Sequence, residues 1–350
     1  MAERLLVRAL NGGESTKIVT LNGKKMTKMP SALEKLPGLK ALHLENNLIS
    51  KVCSEICALT QLTTLNLGNN LLEEVPEEMK YLTSLERLHL FGNRINRFAP
   101  AACDGLRNLI LLNLNHNQLT SIPEEISRLK NLTYLSINHN RITSIPRELC
   151  FLEKISELQL NYNRLTCIPE EIKFMHMLQK LFLVRNNIEV LPERFCDLIN
   201  LRVLNIAGNI IRTFPPGFQN LKLREFYCEE NPLFLKQPVR AAIKQDVWSL
   251  QEITSRFIMN QLEENNPFLM QAIEGYPEVK NTLSKGRECA ICGKFFLTTW
   301  MECVEFVSPS KNWKISRNLH HVPLRILICS FKCFNQRGSN LFGIAKVQSK

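Results

Sequence analysis

Four cysteines stand in two close pairs near the end of the chain. Cys289 and Cys292 lie in "CAICGKFF" at 289–296, and Cys329 and Cys333 in "CSFKC" at 329–333. Thiolates are strong zinc ligands, and four of them close a tetrahedral site; a close pair supplies two ligands from one tight turn. Gly293 follows the first pair and suits such a turn, because glycine tolerates unusual backbone angles. The arrangement C-x2-C-x36-C-x3-C therefore predicts a structural zinc held by Cys289, Cys292, Cys329 and Cys333. A four-thiolate site has no open position, so no metal-based catalysis is expected of it. Cys303, His320 and His321 lie between the pairs as substitute ligands. The alternative is a metal-free fold with reduced thiols. A redox role for the CxxC pair is disfavoured, because no βαβ pattern surrounds it.

Something must hold the two pairs together. Just upstream runs "DVWSLQEITSRFIMNQLEENNPF" at 246–268, where Leu250, Ile253 and Phe257 fall at helical spacing, as do Leu250, Thr254 and Ile258. One expectation is a helix that caps the last unit of a repeat array, since an open end exposes core.

That array covers most of the chain. "LKALHLENNLI" begins at Leu39, "LTTLNLGNNLL" at Leu62 and "LERLHLFGNRI" at Leu85; the frame returns at Leu109, Leu132, Ile155, Leu178, Leu201 and Leu223, and a weaker copy starts at Thr16. About ten units of some 23 residues result, over residues 16–235. The leading apolar residues, for example Leu132, Leu135 and Ile137, are expected to point inward from short parallel strands. A recurrent asparagine follows: Asn47, Asn70, Asn93, Asn117, Asn140, Asn163, Asn186, Asn209 and Asn231. An amide offers donors and acceptors together, so these residues can pair the buried backbone of each turn. Proline recurs fourteen residues into seven units and is often followed by glutamates, as in "IPEEI" at 122–126. This predicts proline at the first position of a short helical turn, with acids in the first turn.

The pattern L-x-x-L-x-L-x-x-N-x-L resembles the 23-residue intracellular class of leucine-rich repeats. The resemblance implies an α/β solenoid: a curved stack with a parallel sheet on its concave side and short helical turns on its convex side. The expected division is an N-terminal cap (1–15), the repeats (16–235), a helical segment (236–284) and a Cys-rich zinc module (285–350). On the concave face the exposed positions include His89, Phe91, Asn113, Tyr134, Ser136, Asn138, Gln159, Tyr162, Phe182 and Tyr227. The three central units are amide-rich and nearly uncharged there, Glu157 excepted. Such a surface suits a protein partner, and it lacks the Lys/Arg stripe that phosphate binding needs.

The order "SLQEITSRFI" (249–258), "CAICGKFF", "ILICSFKC" is similar to the tail of leucine-rich repeat protein 1, one of the substrate receptors of cullin-RING ubiquitin ligases. The resemblance implies an elongin-binding box at Ser249, Leu250, Thr254 and Ile258, with elongins B and C and a cullin as partners. Thr254 departs from the Cys or small residue of that box. Leu250 would then be a helix-in-groove anchor.

Composition bounds the remaining readings. The net charge of +11 is uneven: residues 236–350 carry +7 of it, and no acid follows Glu305. A basic tail with Trp300 and Trp313 makes nucleic-acid binding a third alternative, not favoured over a solvated basic surface. The chain start lacks a secretory pattern, no apolar run approaches a membrane span, and the twelve cysteines read as reduced thiols or metal ligands in a cytoplasmic or nuclear protein. No phosphate-binding glycine loop, zinc-hydrolase helix or nucleophile elbow is present, so an enzyme is not expected.

Overall fold

A leucine every two or three residues, repeated every 23, leaves one economical arrangement: strands side by side, each burying its leucines against the next unit. A computed structural model describes residues 2–234, 248–315, 319–336 and 341–349. Residues 236–247, at the start of the expected helical segment, lie outside them, as do Arg317, Arg337 and Lys350 of the basic tail.

The strands are β1 (Ile18–Thr20), β2 (Ala41–His43), β3 (Thr64–Asn66), β4 (Glu74–Val75), β5 (Arg87–His89), β6 (Arg97–Phe98), β7 (Leu111–Asn113), β8 (Tyr134–Ser136), β9 (Glu157–Gln159), β10 (Lys180–Phe182), β11 (Val203–Asn205), β12 (Glu225–Tyr227), β13 (Arg287–Glu288), β14 (Phe295–Phe296), β15 (Thr299–Val307), β16 (Lys314–Ile315), β17 (Val322–Ile328) and β18 (Leu341–Ser349). The helices are α1 (Ala2–Asn11), α2 (Ala102–Gly105), α3 (Leu250–Glu263), α4 (Pro267–Glu274), α5 (Pro277–Leu283) and α6 (Phe331–Gln336). The chain divides into two units. The first comprises Met1–Ile211, Asn220–Pro232 and Ser310–Asn318; the second comprises Arg212–Gln219, Leu233–Pro309 and Leu319–Lys350.

The first unit is the leucine-rich solenoid. Its parallel sheet runs β1-β2-β3-β5-β7-β8-β9-β10-β11-β12-β16, eleven strands in all. Equivalent residues pair without slippage, Leu135 opposite Leu158 and Leu158 opposite Leu181. Leu132, Leu135 and Ile137 are buried, as expected. The asparagines form a ladder between repeats. Asn163 donates to the carbonyls of Ile137 (2.9 Å) and Leu160 (3.1 Å), while its Oδ1 accepts from the Ile142 amide at 3.1 Å. The residue before each rung takes the left-handed conformation, with φ between 51° at Asn69 and 68° at Gly208. Isolated residues adopt it at a cost when they are not glycine or asparagine; here His116, His139, Tyr162, Arg185 and Glu230 all do so, held by the ladder on either side.

The opposite edge carries 3-10 turns such as Glu124–Arg128 and Glu170–Phe174 in most repeats, and the short helix α2 in the repeat that starts at Leu85. Proline stands one residue earlier than the sequence predicts. Pro123 and Pro169 are N-caps in extended conformation, with the glutamates opening the turn. The correction has a simple cause: ψ near 150° is what joins the incoming extended chain to the turn. At the last repeat, β16 pairs in parallel with β12, and the Trp313 ring meets Phe226 edge-on at 5.4 Å.

The second unit is built on a three-stranded antiparallel sheet, order β17-β15-β18, beside the β13-β14 hairpin. Phe214 joins it through a bridge to Leu324, its amide donating to the Pro323 carbonyl at 2.8 Å. The core holds Phe296, Met301, Cys303, Ile326 and Ile328 together with three of the paired cysteines, Cys289, Cys329 and Cys333. Helix α3 packs on β14 and α4.

Candidate interaction face and candidate metal centre

Position along a strand decides what a side chain can do here. Inward residues are consumed by the core, so chemistry is left to the outward ones. At the centre of the concave sheet these are polar, and they bond one another. Asn115 Oδ1 accepts from the Asn138 amide and lies 2.7 Å from Ser136 Oγ. Asn138 Oδ1 accepts from the Asn161 amide at 2.8 Å, and Asn161 Oδ1 from the Val184 amide at 2.8 Å. Asn138 Nδ2 donates to Gln159 Oε1 at 2.9 Å. Ser136 is fully buried. The central amides thus form a second ladder, parallel to the first, and much of their hydrogen-bonding capacity is already used. The signal was present in the sequence as three consecutive asparagines in one column.

Apolar and aromatic groups surround this floor. Tyr134 is half-buried on β8, and Phe182, Val184, Val203 and Ala207 are half-buried on β10, β11 and the turns that follow them. Phe91 lies across Gly68; a Cβ there would come within 2.5 Å of its ring, so only glycine gives the ring its place. Asn113 Oδ1 accepts from the Asn115 amide at 3.1 Å. Tyr227 lies four strands from Tyr134, its hydroxyl 3.4 Å from Glu225. His89 is half-buried, and desolvation lowers its pKa despite the opposing pull of Glu45. Tyr162 does not join this surface. It sits on the turn after β9, where its ring stacks on His139 at 4.2 Å, and His139 stacks on His116 at 4.2 Å. Burial, then the neighbouring His116, lowers the pKa of His139.

In the second unit the four predicted thiols converge. The Sγ atoms of Cys289, Cys292, Cys329 and Cys333 all lie within 4.8 Å of one another. Cys292 to Cys329 is 3.6 Å and Cys329 to Cys333 is 3.5 Å. Tetrahedral zinc at about 2.3 Å from each sulfur needs edges of about 3.8 Å, so the set fits one ion with little adjustment. The first turn is closed by the Gly293 amide on the Cys289 carbonyl at 3.0 Å, with Gly293 at φ +72°. The second begins just after β17, at Cys329, and ends in α6. Cys303, His320 and His321 stand outside the set, so no substitute ligand is called for. A hydrogen bond from Cys329, with help from the Cys292, Ile291 and Cys329 amides, brings the Cys289 thiol down to about 4 against its burial. The bond to Cys289, then burial, pushes Cys329 up.

Helix α3 carries the box residues. Ser249 caps it, accepting from the Glu252 amide at 3.1 Å. Leu250 is 77 % exposed, Ile253 50 % and Phe257 63 %, a continuous apolar ridge. Thr254 is exposed and its hydroxyl donates to the Leu250 carbonyl at 2.9 Å; Ile258 is half-buried. The opposite face holds Glu252 and Arg256, both buried and joined at 2.6 Å. Burial works against the Glu252 charge, but the Thr298 amide and hydroxyl, Arg256 and the Leu297 amide outweigh it, so its carboxyl sits below the ordinary range. Glutamate four residues before arginine was readable as a helix pair; its burial was not.

Comparison with known proteins agrees with the architecture. The family model "Leucine rich repeat" matches residues 37–95, 83–142 and 130–188, and "Leucine Rich Repeat" matches 200–221. The chain is similar to leucine-rich repeat-containing protein 69 of Homo sapiens, 76 % identical over 99 % of this chain and 100 % of that one. The Mus musculus protein of that name is 68 % identical over the same shares, and the Xenopus laevis one 61 % over 99 % of each. Among solved structures, the Leptospira interrogans protein LIC12759 superposes with a TM-score of 0.62 at 33 % identity, covering 64 % of this chain and 57 % of that one. No helix among the described residues is long and apolar enough to cross a membrane.

Proposed function

We propose, from the premise that this chain belongs to the leucine-rich repeat-containing protein 69 family, that it is a non-enzymatic scaffold whose concave sheet docks a polypeptide partner. One observation carries the reading: Tyr134, Phe182, Val184, Val203 and Ala207 stay half-exposed around a floor of amides that bond each other. A floor with its donors and acceptors paired loses little when water leaves it, and the apolar rim gains from burial. A photoreactive residue at position 182 should crosslink a partner that the same residue at Arg147, 71 % exposed on the convex edge, does not. Tyr134→Ala with Phe182→Ala should abolish the crosslinked species. Equal capture from both positions would defeat the proposal.

A structural zinc held by Cys289, Cys292, Cys329 and Cys333 belongs to the same reading. The support is the convergence of four thiols at tetrahedral spacing. Its role would be to fix the two turns, with no open coordination position for chemistry.

A second reading, substrate recognition for an elongin–cullin–RING ubiquitin ligase, is favoured by the ridge on α3. Leu250 projects into solvent beside Ile253 and Phe257, and the hydroxyl of Thr254 is tied back to the helix, so no strong polar donor is offered on that face. Elongins B and C should co-purify with the full chain and be lost on Leu250→Asp. Their absence from the parent purification would leave the scaffold reading alone.

A further inference from the structure

Helix α3 is fastened to both arms of the cysteine cluster by side chains from three successive turns of its inner face. Glu252 accepts from the Leu297 amide at 3.1 Å and the Thr298 hydroxyl at 2.7 Å. Arg256 donates Nε to Glu252 at 2.6 Å and Nη1 to the carbonyl of Cys329 at 3.1 Å, with the Trp248 ring 3.8 Å from its guanidinium. Asn260 Oδ1 accepts from the Phe295 amide at 3.2 Å. Residues 295–298 leave the Cys289–Cys292 turn, and Cys329 opens the other turn. A buried, hydrogen-bonded ion pair of this kind holds only while every partner stays in place; a partner withdrawn leaves a charge without solvation. A helix of 14 residues is marginal alone, and the outer face of α3 is exposed at Leu250, Ile253 and Phe257.

We infer that metal occupancy of the Cys289–Cys292–Cys329–Cys333 cluster controls the order of α3, and through it the presentation of the Leu250–Ile253–Phe257 ridge. The inference rests on the zinc reading above. With the ion bound, the two turns are fixed at the spacing that Glu252, Arg256 and Asn260 bridge, and the ridge stands on a rigid helix. With the ion removed, the turns separate, the Cys329 carbonyl and the 295–298 amides leave their partners, and α3 frays. The coupling runs through main-chain groups of the ligand turns, so Arg256 is a positioning residue and not a ligand.

The test is hydrogen exchange on the full chain, with zinc and after chelation, alongside zinc stoichiometry from native mass spectrometry on the same samples. Chelation should speed exchange of the 250–263 amides by tenfold or more while amides of β2 to β11 are unchanged, and re-added zinc should restore the slow rate. Arg256→Met should keep one zinc per chain yet exchange fast at α3 in both states. Thr298→Val, which withdraws one donor from Glu252, should do the same to a smaller degree. Slow α3 exchange in a verified zinc-free sample overturns the coupling and leaves the zinc site standing. Failure of the parent to take up zinc overturns both.

Discussion

The solenoid and the cysteine-bearing unit solve the problem of burial in opposite ways. In the solenoid the repeats from Leu39 onward bury the same three apolar positions and pair their turns with the same asparagine, so no single residue dominates. Asn140 and Asn163 make equivalent bonds one repeat apart. In the second unit the key contacts among the described residues occur once: the four thiols, the buried Glu252–Arg256 pair, the carboxylate capped by Thr298 and Leu297. Repetition spreads stability over nearest neighbours, whereas single-use contacts concentrate it. The two regions should therefore fail differently under the same insult.

The largest separation should come from chelation. Structural zinc contributes on the order of 10 kcal/mol in small metal-held folds, so a chelator should make residues 287–309 and 319–334 protease-sensitive while residues 41–211 stay intact; joint loss of both would break the contrast. Next comes Glu252→Ala. It leaves Arg256 buried without its carboxylate, which costs about 4 kcal/mol, read as an earlier denaturant transition of the second unit only. In the solenoid, Asn163→Ala removes the partners of the Ile137 and Leu160 carbonyls and the Ile142 amide. The expected cost is about 3 kcal/mol, seen as faster exchange in the repeats adjoining β9 and not in the second unit. The smallest effect is of pH. Glu252 has a lowered pKa, so its contribution is complete above the ordinary carboxylate value and is lost as pH falls through the lowered one. Glu252→Gln should flatten that acid limb in the second unit and leave the solenoid's unchanged.

The same contrast governs how much was legible beforehand. Period and residue type announce a solenoid, because each repeat restates the rule: from Leu39 to Leu223 every frame start is buried. The thiol cluster was legible for another reason, since two close pairs make few other kinds of site. Proline stands one position before the turn that its spacing predicts it to open, because the joint between extended chain and turn depends on ψ, which composition does not display. The sequence offers the concave amides to a partner, yet Asn115, Asn138 and Gln159 bond within the sheet; lateral pairing between repeats needs the strand spacing as well as the column. The repeat frame sets Tyr162 beside the middle of the concave face, whereas it stands on the turn, its ring on His139. The inner face of α3 was hidden most completely. Glu252 and Arg256 look like a solvated helix pair, and their partners lie 45 to 73 residues away.

The claim of a zinc-held second unit is tested most directly by the metal content of the purified full chain, measured by native mass spectrometry against the Cys289→Ser and Cys333→Ser double variant. It predicts one zinc per parent chain and none in the double variant, with the repeat sheet equally protected in both. A parent chain that binds no zinc while residues 287–309 and 319–334 remain folded would contradict that claim.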